Sequence, residues 1–292
     1  MTNSRLDKVG DILRASTEYL ASRDAYEPRQ ACELLLSRLL NCGRLELYVK
    51  FETRLAEKQL EAMRRGVKRL AAGEPIQYII GRIEFMRRSF KVDRRALIPR
   101  PETELLVETV LGCEILWQRE SPVVCEIGTG CGCIIISLAH ERRGAKYTAI
   151  DVSEEALQLA AENAALLGVA DSIFFAGGEL ADAVEPDSLD AIVANLPYVS
   201  TGDWQSLPVH IRAHEPRVAL DGGEDGLTII GMVVPDAWFA LKPGGWLFLE
   251  IGADQGEKVA GLLNAGEFED VQVRKDLAGK DRIVSARRKR DF

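Results

Sequence analysis

Val123-Val124-Cys125-Glu126-Ile127-Gly128-Thr129-Gly130-Cys131-Gly132 decides the fold. The first five residues read as a buried strand. The three glycines that follow let the backbone turn sharply and let a ligand lie against it. Ile134, Ile135, Ile136 and Leu138 then begin an apolar helix. A dinucleotide fingerprint would need glycine where Cys133 stands, and a phosphate loop would need a Lys-Ser/Thr pair after the glycines, which is absent. The loop therefore suits close ligand approach without a standard pyrophosphate pattern. A plain strand–helix turn would share its outline.

Downstream, strands and helices alternate. Strands are expected over 147–150, 172–175, 189–194 and 246–251, and helices over 154–167, 227–241 and 256–264. A final strand pair is expected over 268–274 and 282–286. Such alternation implies an α/β fold, a mostly parallel Rossmann-like sheet with helices on both faces. Ligands bind such sheets beyond the carboxyl ends of the strands.

Upstream, the first 75 residues read as a small helical bundle. Leu6, Val9, Leu13 and Leu20 recur at helical spacing, and Pro28 opens a second helix with Ala31, Leu34, Leu35 and Leu39 on one face. Leu60, Met63, Val67 and Leu70 form another stripe, which Gly73 and Pro75 stop. Ile76, Tyr78 and Ile80, then Phe85, Phe90 and Val92, predict two strands around Gly81. Pro101 suits a first helical position, and the spacing predicts a helix over 101–118. Three parts follow: a helical domain over 1–75, a β-hairpin linker over 76–97 and a Rossmann-like domain over 98–292.

The 292 residues are 47% hydrophobic and 28% charged, ordinary for a globular chain. The net charge of -8 hides a split: residues 1–100 hold 21 basic against 13 acidic side chains, and the remainder holds 16 against 32. A basic front and an acidic back suggest units with different work. No stretch is long and apolar enough to span a bilayer, and the first residues lack a signal core, so no membrane association is expected. The six cysteines form no CxxC pair, and the expected setting is a cytoplasm with reduced thiols. His210 and His214 lie four apart without an HExxH motif, so no metal is expected. Arg287-Arg288-Lys289-Arg290 reads as a solvated tail.

Two further places carry chemistry. Asp151 ends the next expected strand, about 20 residues past the glycine loop, where a carboxylate can accept both hydroxyls of a ribose. Opening a helix at Ser153-Glu154-Glu155 is the other use of a carboxylate there. Loop and carboxylate together resemble the methyltransferases that bind S-adenosylmethionine, a ligand without a pyrophosphate. The second place is Asn195-Leu196-Pro197-Tyr198. An amide or aryl-amine nitrogen is a poor nucleophile because its lone pair is delocalised. The Asn195 side-chain oxygen and the Leu196 carbonyl can accept its two N–H groups and aim it at the methyl. Pro197 would stiffen the turn and Tyr198 would lie against the planar group. Holding the two partners in line is the main catalytic lever.

Over nearly its whole length the chain resembles the release-factor glutamine methyltransferases of the PrmC/HemK type. The resemblance is carried by Glu74-Pro75-Ile76-Gln77-Tyr78-Ile79-Ile80-Gly81, Ile98-Pro99-Arg100-Pro101-Glu102-Thr103-Glu104, the glycine loop, Asp151 and Asn195-x-Pro197-Tyr198. Glu215-Pro216-x-x-Ala219-Leu220, Gly223-x-Asp225-Gly226-Leu227, Glu250-Ile251-Gly252-x-x-Gln255 and Lys275-Asp276-Leu277-Ala278-Gly279-x-Asp281-Arg282 extend it. It implies a class I fold and methyl transfer from S-adenosylmethionine, leaving S-adenosylhomocysteine. The acceptor it implies is the amide nitrogen of the glutamine in the GGQ motif of bacterial-type peptide chain release factors. Gly128, Thr129, Gly130, Cys131, Gly132 and Asp151 would hold the cofactor, with Asn195 beside it and Glu179 and Leu180 flanking the adenine. Asn195, Leu196, Pro197 and Tyr198 would seat the glutamine, with Arg100 and Glu102 at the substrate side. Residues 1–75 would dock the protein substrate, and no direct nucleic-acid contact is expected.

Two positions depart from the family pattern. Leu196 stands where the family usually has proline, which loosens φ but keeps the carbonyl. Glu179 stands where aspartate is common. Two other readings compete. One is a ribosomal-RNA adenine dimethyltransferase, which shares the Asn195-Leu196-Pro197-Tyr198 spelling and would stack a flipped base on Tyr198. The other is a binding module without catalysis. The acidic catalytic half argues against the first, and the cofactor loop with Asn195 argues against the second.

Overall fold

The computed structural model describes residues 7–179 and 184–290. They fall into two compact units: Met1–Arg82 with Pro208–His214, and Ile83–Leu207 with Glu215–Phe292.

The first unit is helical. α1 (Val9–Ala21), α2 (Pro28–Leu40), α3 (Glu46–Val49) and α4 (Glu57–Ala71) surround Leu13, Leu20, Leu36, Leu47, Met63 and Leu70. Pro28 is the first residue of α2, where its missing N–H costs nothing. Leu6, expected in the first stripe, lies outside the described residues. The strand expected at Ile76, Tyr78 and Ile80 is instead a helix, α5 (Ile76–Ile80). Ile76, Ile79 and Ile80 share one helical face against the core, and Gly81 at φ +74° ends the turn. The isoleucines suggested alternation, but Ile76, Ile79 and Ile80 recur at the helical spacing of three and four and pack, partly buried, against the core.

In the second unit the hairpin turns at Met86-Arg87 rather than Gly81. Both residues have positive φ, +46° and +61°, as a two-residue turn between β1 (Arg82–Phe85) and β2 (Arg88–Lys91) requires. The helix expected over 101–118 breaks after Leu111 into α6 (Pro101–Leu111) and α7 (Glu114–Trp117), because Gly112 and Cys113 end the first. The strand–glycine loop–helix unit is β3 (Val123–Ile127) and α8 (Cys133–Glu141). β4 (Lys146–Asp151), α9 (Glu154–Leu166), β5 (Ile173–Gly177) and β6 (Leu189–Asn195) follow. Then come α10 (Thr201–Ser206), α11 (Val209–Arg212), α12 (Thr228–Ala240), β7 (Leu241–Glu250), α13 (Gly256–Ala265), β8 (Phe268–Lys275) and β9 (Asp281–Arg288). α10 and α11 had no signal in the sequence pattern. α11 groups with the first unit, where His210 stacks on Tyr26 at 4.6 Å.

The sheet order is β5-β4-β3-β6-β7-β9-β8. β5 to β7 run parallel, and β9 is antiparallel to both neighbours. The chain leaves β3 toward β4 and later returns to β6 on its other side. That reversal is the switch point where such sheets bind ligands. Leu247, Leu249, Ile192, Ala194 and Val284 form the buried core beneath it. The basic tail is no solvated run. Arg287 pairs with Asp270 at 2.7 Å, and Arg288 is buried, donating to Asp187 and the Leu241 carbonyl while lying over the Trp238 ring. Only Lys289 and Arg290 are exposed.

Candidate active site

The glycine loop is tied to the end of β4 and turns through one bond of its own, from the Gly132 amide to the Thr129 carbonyl at 2.8 Å. The Gly128 and Thr129 amides donate to the Ile150 carbonyl at 2.8 and 3.0 Å. Gly132 has φ +80°, and a Cβ there would meet Ile136 at 2.8 Å and Ala160 at 3.1 Å, so only glycine lets α8 sit this close to α9. Glu126 is buried beneath the loop, accepting from Thr129 Oγ1 at 2.6 Å and the Ile135 amide at 3.1 Å. Burial holds its carboxyl well above the usual range. Asn163, also buried, donates to the Cys131 and Lys91 carbonyls at 2.9 Å and so fastens the loop to β2.

Asp151 ends β4 beside this loop. Its Oδ2 accepts from the Gly130 amide at 2.8 Å and its Oδ1 from Ser153 N at 2.9 Å. The helix cap itself is Ser153, whose hydroxyl accepts from Ala156 N. Asp151 is thus oriented by backbone, and a carboxylate with two bonds keeps acceptor sites for hydroxyls.

Asn195 ends β6, one strand from the loop, since Ile127 pairs with Ala194. Its Nδ2 donates to Thr103 Oγ1 at 3.2 Å. Leu196 is buried, 3.8 Å from the position a Cβ on Gly128 would take. The Pro197-Tyr198 backbone is clamped. A Cβ on Gly222 would lie 2.5 Å from the Pro197 carbonyl, and Gln255 Nε2 donates to the Tyr198 carbonyl at 3.0 Å and to Gly226 O at 3.3 Å. The Gly223-x-Asp225-Gly226-Leu227 and Glu250-Ile251-Gly252-x-x-Gln255 segments are therefore the walls of this turn. The Tyr198 hydroxyl reaches Glu250 Oε1 at 3.5 Å, and burial pushes the phenol above its usual range.

A cavity of about 630 Å³ lies between the two turns. That is an ordinary size for a small-molecule site. Of the residues singled out in the sequence, Gly128 to Cys131, Asp151, Glu179, Asn195, Leu196, Pro197 and Arg100 line it. Gly132, Tyr198 and Glu102 stand outside its lining, and Leu180 lies outside the described residues. Arg100 pairs with Glu215 at 2.7 Å, and the Ile98 amide donates to the same carboxylate at 3.1 Å. One buried carboxylate thus ties the two segments 98–104 and 215–220 together. Arg95, also at the cavity, pairs with Asp93 and Glu162 at 2.8 and 2.9 Å.

Sequence reasoning passed over Thr103, Glu126, Glu250 and the α12 face of Ile229, Met232, Val233 and Asp236, which also lines the cavity. Glu126 and Glu250 carried a signal: each is an acid in an otherwise apolar strand, and such acids need a reason. The α12 face did not, because apolar residues on a helix look like core. Among the described residues, no group of three or more His, Cys, Asp or Glu is placed to hold a metal, and no helix is long and apolar enough to cross a membrane.

Residues 11–81 match the model of the PrmC N-terminal domain, and residues 102–215 match the methyltransferase small domain. A release factor glutamine methyltransferase of Moorella thermoacetica is 41% identical over 273 residues, covering 93% of this chain and 95% of its own. That of Geobacter sulfurreducens is 39% identical over 282 residues, covering 96% of each chain. The crystal structure of a methyltransferase from Pyrococcus furiosus aligns with a TM-score of 0.51 at 18% identity, covering 68% of this chain and 88% of its own, a likeness of fold.

Proposed function

The chain belongs to the release factor glutamine methyltransferase family, and from that membership we propose how its site divides the work. The protein transfers a methyl group from S-adenosylmethionine to the side-chain amide nitrogen of a glutamine in peptide chain release factors. The glutamine of the GGQ motif is the acceptor that the family resemblance implies.

The residues present fit that cofactor. The loop keeps its backbone bare, because a Cβ on Gly128 or Gly130 would fill the space toward Leu196 or Ala96. Asp151 offers remaining acceptor sites for the ribose hydroxyls. Asp151 places an acidic side chain at a cavity whose ligand has a cation as its reactive centre. Bound there, S-adenosylmethionine supplies an electrophilic methyl on its sulfonium. Glu179 also lines the cavity and would flank the adenine.

Asn195 Oδ1 and the Leu196 carbonyl accept the two N–H groups of the glutamine amide. This fixes the plane of the amide and turns its nitrogen toward the methyl. The nitrogen becomes acidic as it gains the methyl, so a strong base is not required. Pro197 and the clamp on the Tyr198 backbone keep both acceptors in place. Arg100, held by Glu215, orders the approach segment, and Glu102 stands beside it on α6.

One observation carries this reading: the glycine loop and Asn195 end neighbouring parallel strands in register and line one cavity. Residues 1–75 would dock the release factor, and the basic stretch that follows, with 7 basic against 2 acidic side chains over 76–100, would favour an acidic face of it. Neither RNA nor a membrane is a required partner, and a cytoplasmic setting fits a substrate that works in translation. Labelled-methyl transfer tests the reading with two substrates: an intact release factor and one whose GGQ glutamine is replaced by alanine. Label on the first alone supports it; equal label on both contradicts it.

A further inference from the structure

We propose that Thr103 is a positioning residue that decides which end of the Asn195 amide faces the substrate, and that Glu250 sets the direction of the Thr103 hydroxyl. The inference deepens the methyl-transfer reading and rests on it.

Thr103 lies in the first turn of α6 and is 2% exposed. Its Oγ1 accepts from Asn195 Nδ2 at 3.2 Å. Glu250 is 1% exposed, ends β7 and pairs with Asn195 across the sheet. Glu250 Oε2 is buried without a hydrogen-bond partner while Oε1 meets the Tyr198 hydroxyl at 3.5 Å, and the Thr103 hydroxyl is the other neutral donor that acts on this carboxyl. A hydroxyl has one hydrogen to donate. Given to a carboxylate, that hydrogen leaves only lone pairs toward Asn195. The amide must then turn its NH2 to Thr103 and its oxygen to the cavity. That oxygen is the atom that accepts a glutamine N–H. With the amide reversed, two NH2 groups would oppose each other and the acceptor would be lost.

The groups facing Glu250 are Thr103 and Glu102 from α6, Tyr198 from the turn after β6, Arg282 from β9 and Cys133 from α8. Burial raises the Glu250 carboxyl to about 7, while Thr103 and Arg282 pull it down. Once protonated, Glu250 can donate to Thr103, whose hydrogen then turns to Asn195 and favours the reversed amide. Turnover should therefore fall as pH drops through neutrality.

The test uses full-length enzyme and intact release factor. Thr103→Val keeps the shape without the hydroxyl. It should lower kcat about 10- to 100-fold, with cofactor Kd close to wild type and a modest fall in Tm from the buried polar groups left unpaired. Thr103→Ser should restore most of kcat. Glu250→Gln should flatten the acid limb of the kcat profile between about pH 6 and 8. Full kcat in Thr103→Val overturns the proposal. So do parallel losses of kcat, cofactor affinity and Tm in Thr103→Val and Thr103→Ser, which would make the residue merely structural. An unchanged acid limb in Glu250→Gln removes the role of Glu250. A wild-type enzyme that leaves the glutamine unmethylated fails the parent reading instead, before any variant is made.

Discussion

The two turns that face each other across the cavity are built in opposite ways. Gly128 to Gly132 works largely by omission: three of its five residues carry no side chain, and its shape is set within the strand–loop–helix unit by Glu126 and Ile135 and by the end of the next strand, Ile150 and Asp151. Asn195 to Tyr198 works through side-chain and carbonyl atoms, and its shape is set from far away in sequence. Thr103 is 92 residues upstream of Asn195, and Gln255 is 57 residues downstream of Tyr198. A site that holds a cofactor needs room for backbone contact. A site that holds a weak nucleophile needs atoms aimed to within a fraction of an ångström.

Substitutions should separate the two. Asn195→Ala should show the largest effect, reducing methyl transfer by at least about 10²-fold while leaving cofactor binding within a few-fold. Calorimetric titration of the cofactor against that variant checks it. An equal loss of binding would move Asn195 to the cofactor's side of the cavity.

Gly132→Ala and Gly222→Ala form the next pair. Each puts a methyl into occupied space, 2.8 Å from Ile136 and 2.5 Å from the Pro197 carbonyl respectively. Overpacking of this kind costs about 1–3 kcal/mol of stability. Gly132→Ala should chiefly raise the cofactor Kd, and Gly222→Ala should chiefly lower kcat. Swapped phenotypes would break the division between the turns.

Glu250 sharpens the comparison through pH. Its carboxyl moves from the ordinary 4.5 to about 7 on folding. The folded state therefore holds a proton that the unfolded state has already lost. The stabilisation this group gives is fully present below about pH 4.5 and is lost as pH rises through 7, by at most about 3 kcal/mol. Denaturant titrations should find Glu250→Gln more stable than wild type at pH 8 and nearly equal at pH 5. Equal stability of the two proteins at both pH values would contradict the buried-acid account.

The smallest effect concerns the basic first 100 residues. Raising ionic strength from about 0.05 to 0.3 M should increase KM for the release factor a few-fold and leave kcat unchanged. A KM that ignores salt would reduce the charge split to surface composition.

The same contrast explains what could be read in the sequence. Elements whose cause is local were legible: the β3 strand and glycine loop, Asp151 closing β4, Pro28 opening α2, and the stripe Leu60, Met63, Val67, Leu70. Ile76–Ile80 misled because β-branched residues favour strands, and burial against the helical core overrode that preference. Gly112 was passed over as an ordinary helical residue. Arg288 looked like tail because nothing nearby announces Asp187 or the Leu241 carbonyl. The support of Asn195 was invisible for the same reason. Thr103 sits in a segment that stood out, yet its role depends on a contact made only when α6 packs beside β6 and β7.

The central claim is that the methyl goes to a glutamine amide nitrogen. Peptide-resolved mass spectrometry of a release factor, incubated with the enzyme and S-adenosylmethionine alongside ribosomal RNA, tests it most directly. One methyl on the side chain of the GGQ glutamine, and none on the RNA, is the predicted result. An unmodified glutamine together with methylated adenine in the RNA would contradict it.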